Sequence, residues 1–482
     1  MIFEHGLPPD TLSRRRFLLG SALAAAAAAA GAGGLSGCAA GGGGGGSSSS
    51  SAAKSKSNPF GVDSSAPLEM VIFDGGFGSD YAKHFETLYS KEFPDAKLSM
   101  TATQQITGVL QPRFNAGNPP DLVDDSGAQQ IKLDVLYGNG QLADLGPLLD
   151  APSVDDPNTK VRDTLMPGTV AAGTYGNSMY DLQYVYTAFG LWYSKSLFAK
   201  HGWTVPTTWD DWIKQAAEIK AAGIAPFAFQ GKYPYYMLVP IMDLAAKHGG
   251  VETLVAVDNL EPNAWKSDPV KQAVEAIYEI VARNYYLPGT QGMTHIQSQT
   301  AWNNGRAAWI PCGSWLENEQ LKATPAGFDM AFAPMPSLSG DKLPQTAIRA
   351  GANEPFIVPA KARNVPGGME MMRLMLSKAG SVAFAQVAHS LTVVKNAVGP
   401  NVQLLPGTRS ANAAVQTSGA STFYWYYPSW YAQLETDLEN ATGELMAGRM
   451  KPADWMNACQ AAADKTAKDS SIKKFKRSAS LI

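Results

Sequence analysis

The chain has 482 residues, of which 45% are hydrophobic, 10% aromatic and 17% charged, with a formal net charge of −3 at pH 7. No basic stripe is visible, which argues against nucleic acid as a partner. Six scattered histidines and three cysteines form no His-x-x-x-His pair and no Cys/His cluster, so a zinc site has no support and no cofactor is indicated.

The first forty residues read as an address. Ser13-Arg14-Arg15-Arg16-Phe17-Leu18 is a twin-arginine export pattern, followed by an alanine-dominated apolar run from Leu18 to Ala30. That run is too short and too weakly apolar for a spanning helix. Leu35-Ser36-Gly37-Cys38 resembles the bacterial lipobox, in which cleavage leaves the cysteine as a lipidated N-terminus. Residues 1–37 are therefore read as a signal peptide and Cys38 as the lipidation site. Gly41–Gly46 and Ser47–Ser51 cannot bury apolar surface, and residues 38–65 are read as a flexible tether holding a body at the outer face of the membrane. Cleavage removes three Arg and two acids, a net +1, and leaves a mild formal charge of −4. The remaining length suits two or three domains, or two lobes. Cys312 and Cys459 leave open one disulfide or two separate buried thiols.

The folded body is expected to begin near Ala66. "LEMVIFDGGFG" is an apolar run ending in glycines, the pattern of a buried parallel strand. Tyr81, Phe85 and Leu88 repeat at helical spacing until Pro94, "AKLSMTAT" reads as a second strand, and a helix through Leu110 and Phe114 leads to the strand Asp121–Asp124. This β-α-β-α-β order predicts a twisted, mainly parallel sheet covered by helices, with ligands at the strands' carboxyl ends. Gln129 and Gln130 are expected to open a helix. In "PTTWDDWIKQAAEIKAAGI" Thr208 is placed to cap a helix, with Asp211 at the capping-box position. "APFAF", "RAAWIPC", "FDMAFAP" and "NEPFIVP" read as further strands, and about 428–475 as mostly helical. The chain is thus α/β. Between them lies "FYWYYPSWY" (423–431), seven aromatic rings in nine positions.

Four signatures stand in order: "FNAGNPPDLV" (114–123), "WYSKSLF" with "PTTWDDW" (192–212), "NNGRAAWIPCGSW" (303–315) and "MAFAPMP" (330–336). Behind a lipobox, this set resembles the extracytoplasmic solute-binding proteins, family 1, of sugar ABC transporters. "VIFDGGFG", "SGAQQ", "GKYPYY", "DNLEPNAWK", "THIQSQTAW" and "EPFIVP" are similar to the N-acetylglucosamine and N,N′-diacetylchitobiose-binding lipoproteins. The resemblance implies a periplasmic-binding-protein-like fold, two α/β lobes with a hinge and an interlobe cleft. The N-lobe would comprise 66–187 plus about 346–405, and the C-lobe about 188–345 plus 406–482, with crossings near Tyr186–Phe189 and Arg349–Pro355. It further implies a monomer that closes on a mono- or oligosaccharide and presents it to two permease subunits and their ATPase.

A pyranose has a C–H face that suits an aromatic ring and hydroxyl edges that suit amides and carboxylates. The family pattern places cleft rings at Trp315, after Gly313-Ser314, and at Trp430 in "PSWYAQLE". Phe77 at the first strand end, Tyr233, Tyr235 and Tyr236 around Pro234, and Tyr186 at the first crossing are further ring candidates. Gln105, Asp125, Asn353 and Glu354 are the polar edge candidates, each with a structural alternative such as helix capping for Asp125. The rival class is an exported glycoside hydrolase using Asp124 or Asp125 with Glu354, but adjacent carboxylates on a strand point to opposite faces. No Gly-x-Ser-x-Gly elbow supports an acyl hydrolase. A lipoprotein binding a peptide or a metal is the third class.

Overall fold

The computed structural model describes residues 52–399 and 401–482. The twin-arginine pattern, the apolar run, Cys38 and the Gly/Ser run lie outside the described residues. The strands are β1 (Leu68–Phe73), β2 (Leu98–Thr103), β3 (Leu122–Asp124), β4 (Thr174–Tyr175), β5 (Ser178–Met179), β6 (Leu182–Ser194), β7 (Ala225–Phe227), β8 (Ala307–Gly313), β9 (Met330–Ala333), β10 (Ala350–Ile357) and β11 (Leu391–Thr392).

One sheet runs β2-β1-β3-β10-β6-β8-β7, with β9 and β11 also pairing with β6, and β4-β5 is a separate small ribbon. The parallel arrangement expected from the sequence is found at the two ends, in β2-β1-β3 and β7-β8. Helices Tyr81–Glu92 and Ile106–Ala116 make the crossovers of the first end. The centre is antiparallel instead. All but one residue of the thirteen-residue β6 are buried, and it is rich in aromatic and β-branched side chains that favour a pleated, packed surface. Its first part pairs with β10, from Leu182 opposite Phe356 to Ala188 opposite Ala350. Its second part pairs with β8 and β9, Phe189 opposite Gly313 and Leu191 opposite Ala333. β6 therefore passes from one half of the sheet into the other without a break.

Local signals explain several boundaries. The Thr208 hydroxyl accepts from the Asp211 N–H at 3.2 Å and donates to the Asp211 carboxylate at 2.8 Å, starting helix Trp209–Ala221. Thr294 and Gln297 form a reciprocal capping box at helix His295–Asn303. Gln129 and Gln130 do not open a helix. Their carbonyls accept from the Thr107 hydroxyl at 2.8 and 2.9 Å, and helix Leu133–Gly138 begins later.

The body also starts earlier than Ala66. Phe60 and Val62 are buried, and the Asn58 side chain exchanges hydrogen bonds with both backbone groups of Val62, so residues 58–62 belong to the packed body and not to the expected tether. Cys312 and Cys459 are buried free thiols. No described helix is long and apolar enough to cross a membrane.

Arg373 fastens the early segment to this core. It makes a paired contact with Glu370 at 2.9 and 2.6 Å and donates to the carbonyls of Ser57 and Pro152. Its side chain is 6% exposed and that of Glu370 is 0% exposed. Arg373→Ala leaves a buried carboxylate unpaired and is expected to cost about 3–5 kcal/mol of unfolding free energy. Urea unfolding checks this; a loss under about 1 kcal/mol, the range of exposed pairs, contradicts it.

Candidate functional site

Trp315 follows β8 and closes against the opposite half of the sheet. Its indole is half-buried and rests on two glycines: a Cβ at Gly76 would sit 2.8 Å from Trp315 Cδ1, and one at Gly313 would overlap the ring. Asn318 Nδ2, one turn on, donates to the Gly76 carbonyl at 2.8 Å. The loop after β1 and the loop after β8 therefore meet here, and glycine is needed because any side chain would push the indole away.

Around Trp315 stands a half-buried aromatic panel. Tyr236 lies 6.3 Å from the indole and stacks with His295 at 6.5 Å and 14°. Tyr233 meets the His295 ring at 5.2 Å, and Tyr235 meets Tyr236 edge-on at 5.5 Å. A polar set backs the panel. His295 Nε2 is 3.3 Å from Glu319 Oε1, and Gln299 donates to Glu319 Oε2 at 2.7 Å. His295, Gln299, Asn318 and Glu319 were not singled out from the sequence. Spacing carried part of the signal, since His295 and Gln299 lie four apart on one helix face.

The central strands carry a second group. Tyr186 on β6 faces Ala352 and Leu391, and Asn353 on β10 faces Val185. Glu354 is half-buried with φ +65°, a left-handed conformation that is costly for a non-glycine residue. Next to it, fully buried Asp124 accepts from Tyr81 at 2.8 Å and from Ser126 at 2.6 Å. Burial, then the Asp124 charge, pushes the Glu354 carboxyl well above its usual range. Asp125 is also fully buried; its N–H donates to the Pro355 carbonyl and its Oδ1 accepts from the Ile131 N–H, both at 2.8 Å. It thus braces the 125–131 loop from inside, while its Oδ2 has no partner.

Three candidates stand apart. Phe77 is 6% exposed and packs on Phe384 at 5.7 Å. Gln105 is exposed at the start of helix Ile106–Ala116. Trp430 is 7% exposed, stacked on Tyr426 at 5.1 Å and on Phe475 at 5.4 Å. All seven rings of 423–431 are buried, so the stretch is first of all core. Just past Trp430 in the chain, the Ala432 carbonyl accepts from Lys132 Nζ at 3.3 Å, and Thr436 Oγ1 accepts from it at 3.2 Å. Glu435 and Glu439 lie on the same helix, Ala432–Met446, and burial raises both carboxyls. Arg349 lies 4.5 Å over Phe189 and 5.7 Å from the Tyr424 ring.

Two openings among the described residues bear on these groups. A void of about 10 Å³ behind the panel touches Tyr235, Tyr236 and Asp243 and has room for a water at most. A groove of about 520 Å³ lies along helix His295–Asn303, lined by Met293, Ile296 and Arg306, and contains none of the sequence candidates. Among the described residues no group of three or more His, Cys, Asp or Glu is arranged to hold a metal ion.

The profile of bacterial extracellular solute-binding proteins matches residues 75–382. The diacetylchitobiose binding protein NgcE of Streptomyces coelicolor is 34% identical over 427 residues, 88% of this chain and 90% of that protein. A probable sugar-binding periplasmic protein of Brucella suis is 26% identical over 201 residues, 42% of this chain and 46% of that one. Among solved structures, a chitin oligosaccharide binding protein superposes with TM-score 0.68 at 20% identity, covering 82% of this chain and 98% of that one. RafE in complex with raffinose superposes with TM-score 0.64 at 20% identity, covering 83% and 99%. At such identities the likeness is one of fold: a periplasmic-binding-protein-like α/β fold.

Burial leaves unpaired acids inside this fold. Asp181 and Asp243 are each pushed up to about 7, chiefly by desolvation, and each has one carboxylate oxygen without a partner. A carboxyl raised above its unfolded value near 4 favours the folded state below that value and loses the contribution as pH rises through about 7. The melting temperature is therefore expected to fall between pH 5 and pH 8, with a shallower fall in Asp181→Asn. Parallel slopes for the two chains would contradict the assignment to Asp181.

Proposed function

The chain belongs to the bacterial extracellular solute-binding proteins, and from that premise we propose that it is the sugar-capturing component of a carbohydrate ABC importer. Its ligand is an N-acetylated glucosamine saccharide, N-acetylglucosamine or N,N′-diacetylchitobiose. The observation that carries this reading is the half-buried panel of Trp315, Tyr236 and Tyr233 at the junction of the two sheet halves, edged by amides and carboxylates. The 34% identity to a diacetylchitobiose binding protein, over nearly the whole of both chains, supports the acetylated class.

In this reading the two lobes are 66–187 with about 346–405, and about 188–345 with 406–482, joined where β6 passes from β10 to β8 and β9. The sugar lays its C–H face on the indole of Trp315 and the ring of Tyr236; Asn318, Glu319, Asn353 and Glu354 take hydroxyl and acetamido edges, and buried Gln299 holds Glu319 from behind. Trp430 supplies a second wall. Because the sugar touches both lobes, it binds the closed state more tightly and shifts the population toward it. The closed form is the one offered to two permease subunits and their ATPase, by a monomer anchored through lipid on Cys38 after removal of residues 1–37. The sugar leaves chemically unaltered.

Two measurements test this. A thermal-shift panel of N-acetylglucosamine, diacetylchitobiose, glucose, maltose, cellobiose and xylobiose on the purified chain is expected to respond only to the acetylated sugars. Ligand at 100 times its Kd stabilises by about 2.7 kcal/mol. A response to maltose or xylobiose alone would move the ligand class, and appearance of monosaccharide from diacetylchitobiose would replace binding by hydrolysis. By calorimetry, Trp315→Ala is expected to weaken sugar binding by about 1–3 kcal/mol. Unchanged affinity would remove Trp315 from the site.

A further inference from the structure

After helix Pro452–Lys468 the chain does not leave the surface but turns across it. Arg477 fixes the far side of this turn. It pairs with Asp258 at 2.6 Å, the two side chains being 1% and 0% exposed, and donates to the Tyr424 carbonyl at 2.7 Å. Its N–H donates to Asn259 Oδ1 at 2.7 Å, and its guanidinium lies 4.9 Å from the Tyr426 ring. Residues 469–476 are thus a short loop tied at both ends, by a helix and by a buried ion pair.

The middle of that loop does something different. Lys473 Nζ contacts Tyr137 OH at 2.8 Å and lies 5.3 Å over the Tyr137 ring. Phe475 stacks on Trp430 at 5.4 Å and 28°, and meets Tyr175 edge-on at 5.8 Å. Its N–H donates to Tyr431 OH at 3.0 Å. Tyr137 and Tyr175 belong to the first lobe proposed above, whereas Asp258, Tyr424 and Trp430 belong to the second. The loop crosses from one to the other. On the way it covers Trp430, which with Tyr426 against it as well is only 7% exposed.

We propose that residues 469–476 form a strap across this end of the cleft, and that Phe475 occupies the ring of Trp430 in the manner of a sugar, so that saccharide binding there exchanges one for the other. This rests on the sugar-binding reading above. An aromatic side chain and a pyranose C–H face present the same flat apolar surface to an indole, so the two compete for one partner. The anchor at Arg477 confines the exchange: the strap lifts as a loop while its end stays in place. Lifting also releases the Lys473 and Phe475 contacts to the first lobe. Phe475 is in this sense an affinity-setting residue. It sets how much of the chain has Trp430 available, and the apparent affinity scales with that fraction.

The test is hydrogen exchange and calorimetry with diacetylchitobiose, on the unaltered chain and on Phe475→Ala. With sugar bound to the unaltered chain, amides at 470–476 are expected to exchange faster, while the Arg477 amide keeps its protection. Phe475→Ala is expected to bind with a Kd roughly threefold to tenfold lower. Slower or unchanged exchange at 470–476 on binding overturns the proposal, as does an equal or weaker affinity in a folded Phe475→Ala chain. If that variant does not fold, the exchange result on the unaltered chain decides. Normal sugar binding with an unmoved strap refutes the exchange alone, whereas no binding of any acetylated sugar by either chain refutes the sugar reading and the exchange with it.

Discussion

The structure depends on the pairing of β6 with β10. These two strands lie at the centre of the sheet, and every other long strand is reached through one of them. β6 is buried along nearly its full length and divides its hydrogen bonds between two sets of neighbours: β10 before residue 189, β8 and β9 after it. Side chains on a strand alternate faces, and both faces of β6 are buried, so a one-residue slip of this pair would exchange the two faces and separate every ring on β6 from its packing partners. Register at the centre thereby sets where the loop after β1 meets the loop after β8, and hence where Trp315 comes to rest on Gly76.

Placing a site at such a junction has an energetic consequence. Groups brought there leave water, and several of them are acids without a cation to match. Asp124, Asp125, Asp181 and Glu354 are all raised by burial, and Glu354 also adopts a backbone conformation that a side chain disfavours. Strain and desolvation of this order persist only where the surrounding packing over-determines them. The aromatic core on both flanks, including the seven rings of 423–431, supplies that packing. Of these rings the sequence nominates only Trp430 for binding. Most of them are instead the rigid mass against which one is held.

Much of the fold was legible because its signals are local. The apolar run of β1, the helical repeat of Tyr81, Phe85 and Leu88, and the Thr208 cap each lie within a few residues and are found where they were expected. What was misread depended on contacts from afar. Gln129 and Gln130 have polar spacing compatible with a helix start, but Thr107 takes their carbonyls and Asp125 takes the Ile131 N–H. Phe60 and Val62 follow a Gly/Ser-rich run and look like tether, yet they are buried in the main core. The candidate site shows the same division. Trp315 and the Tyr233–Tyr236 cluster could be nominated from their places after strands. His295, Glu319 and Asn318 join them only through the fold, and nothing near Trp430 in the sequence announces that Phe475 will lie on it.

Cys312 and Cys459 are both unpaired and both deep inside, and burial pushes each thiol well above its ordinary range. Thiolates are scarce under such conditions, so these sulfurs are poor partners for exchange with disulfides. The body from residue 52 onward consequently asks nothing of an oxidising compartment: it has no disulfide to form. Whether it folds before or after crossing a membrane is then a matter for the export machinery, and sulfur chemistry imposes no order on the two.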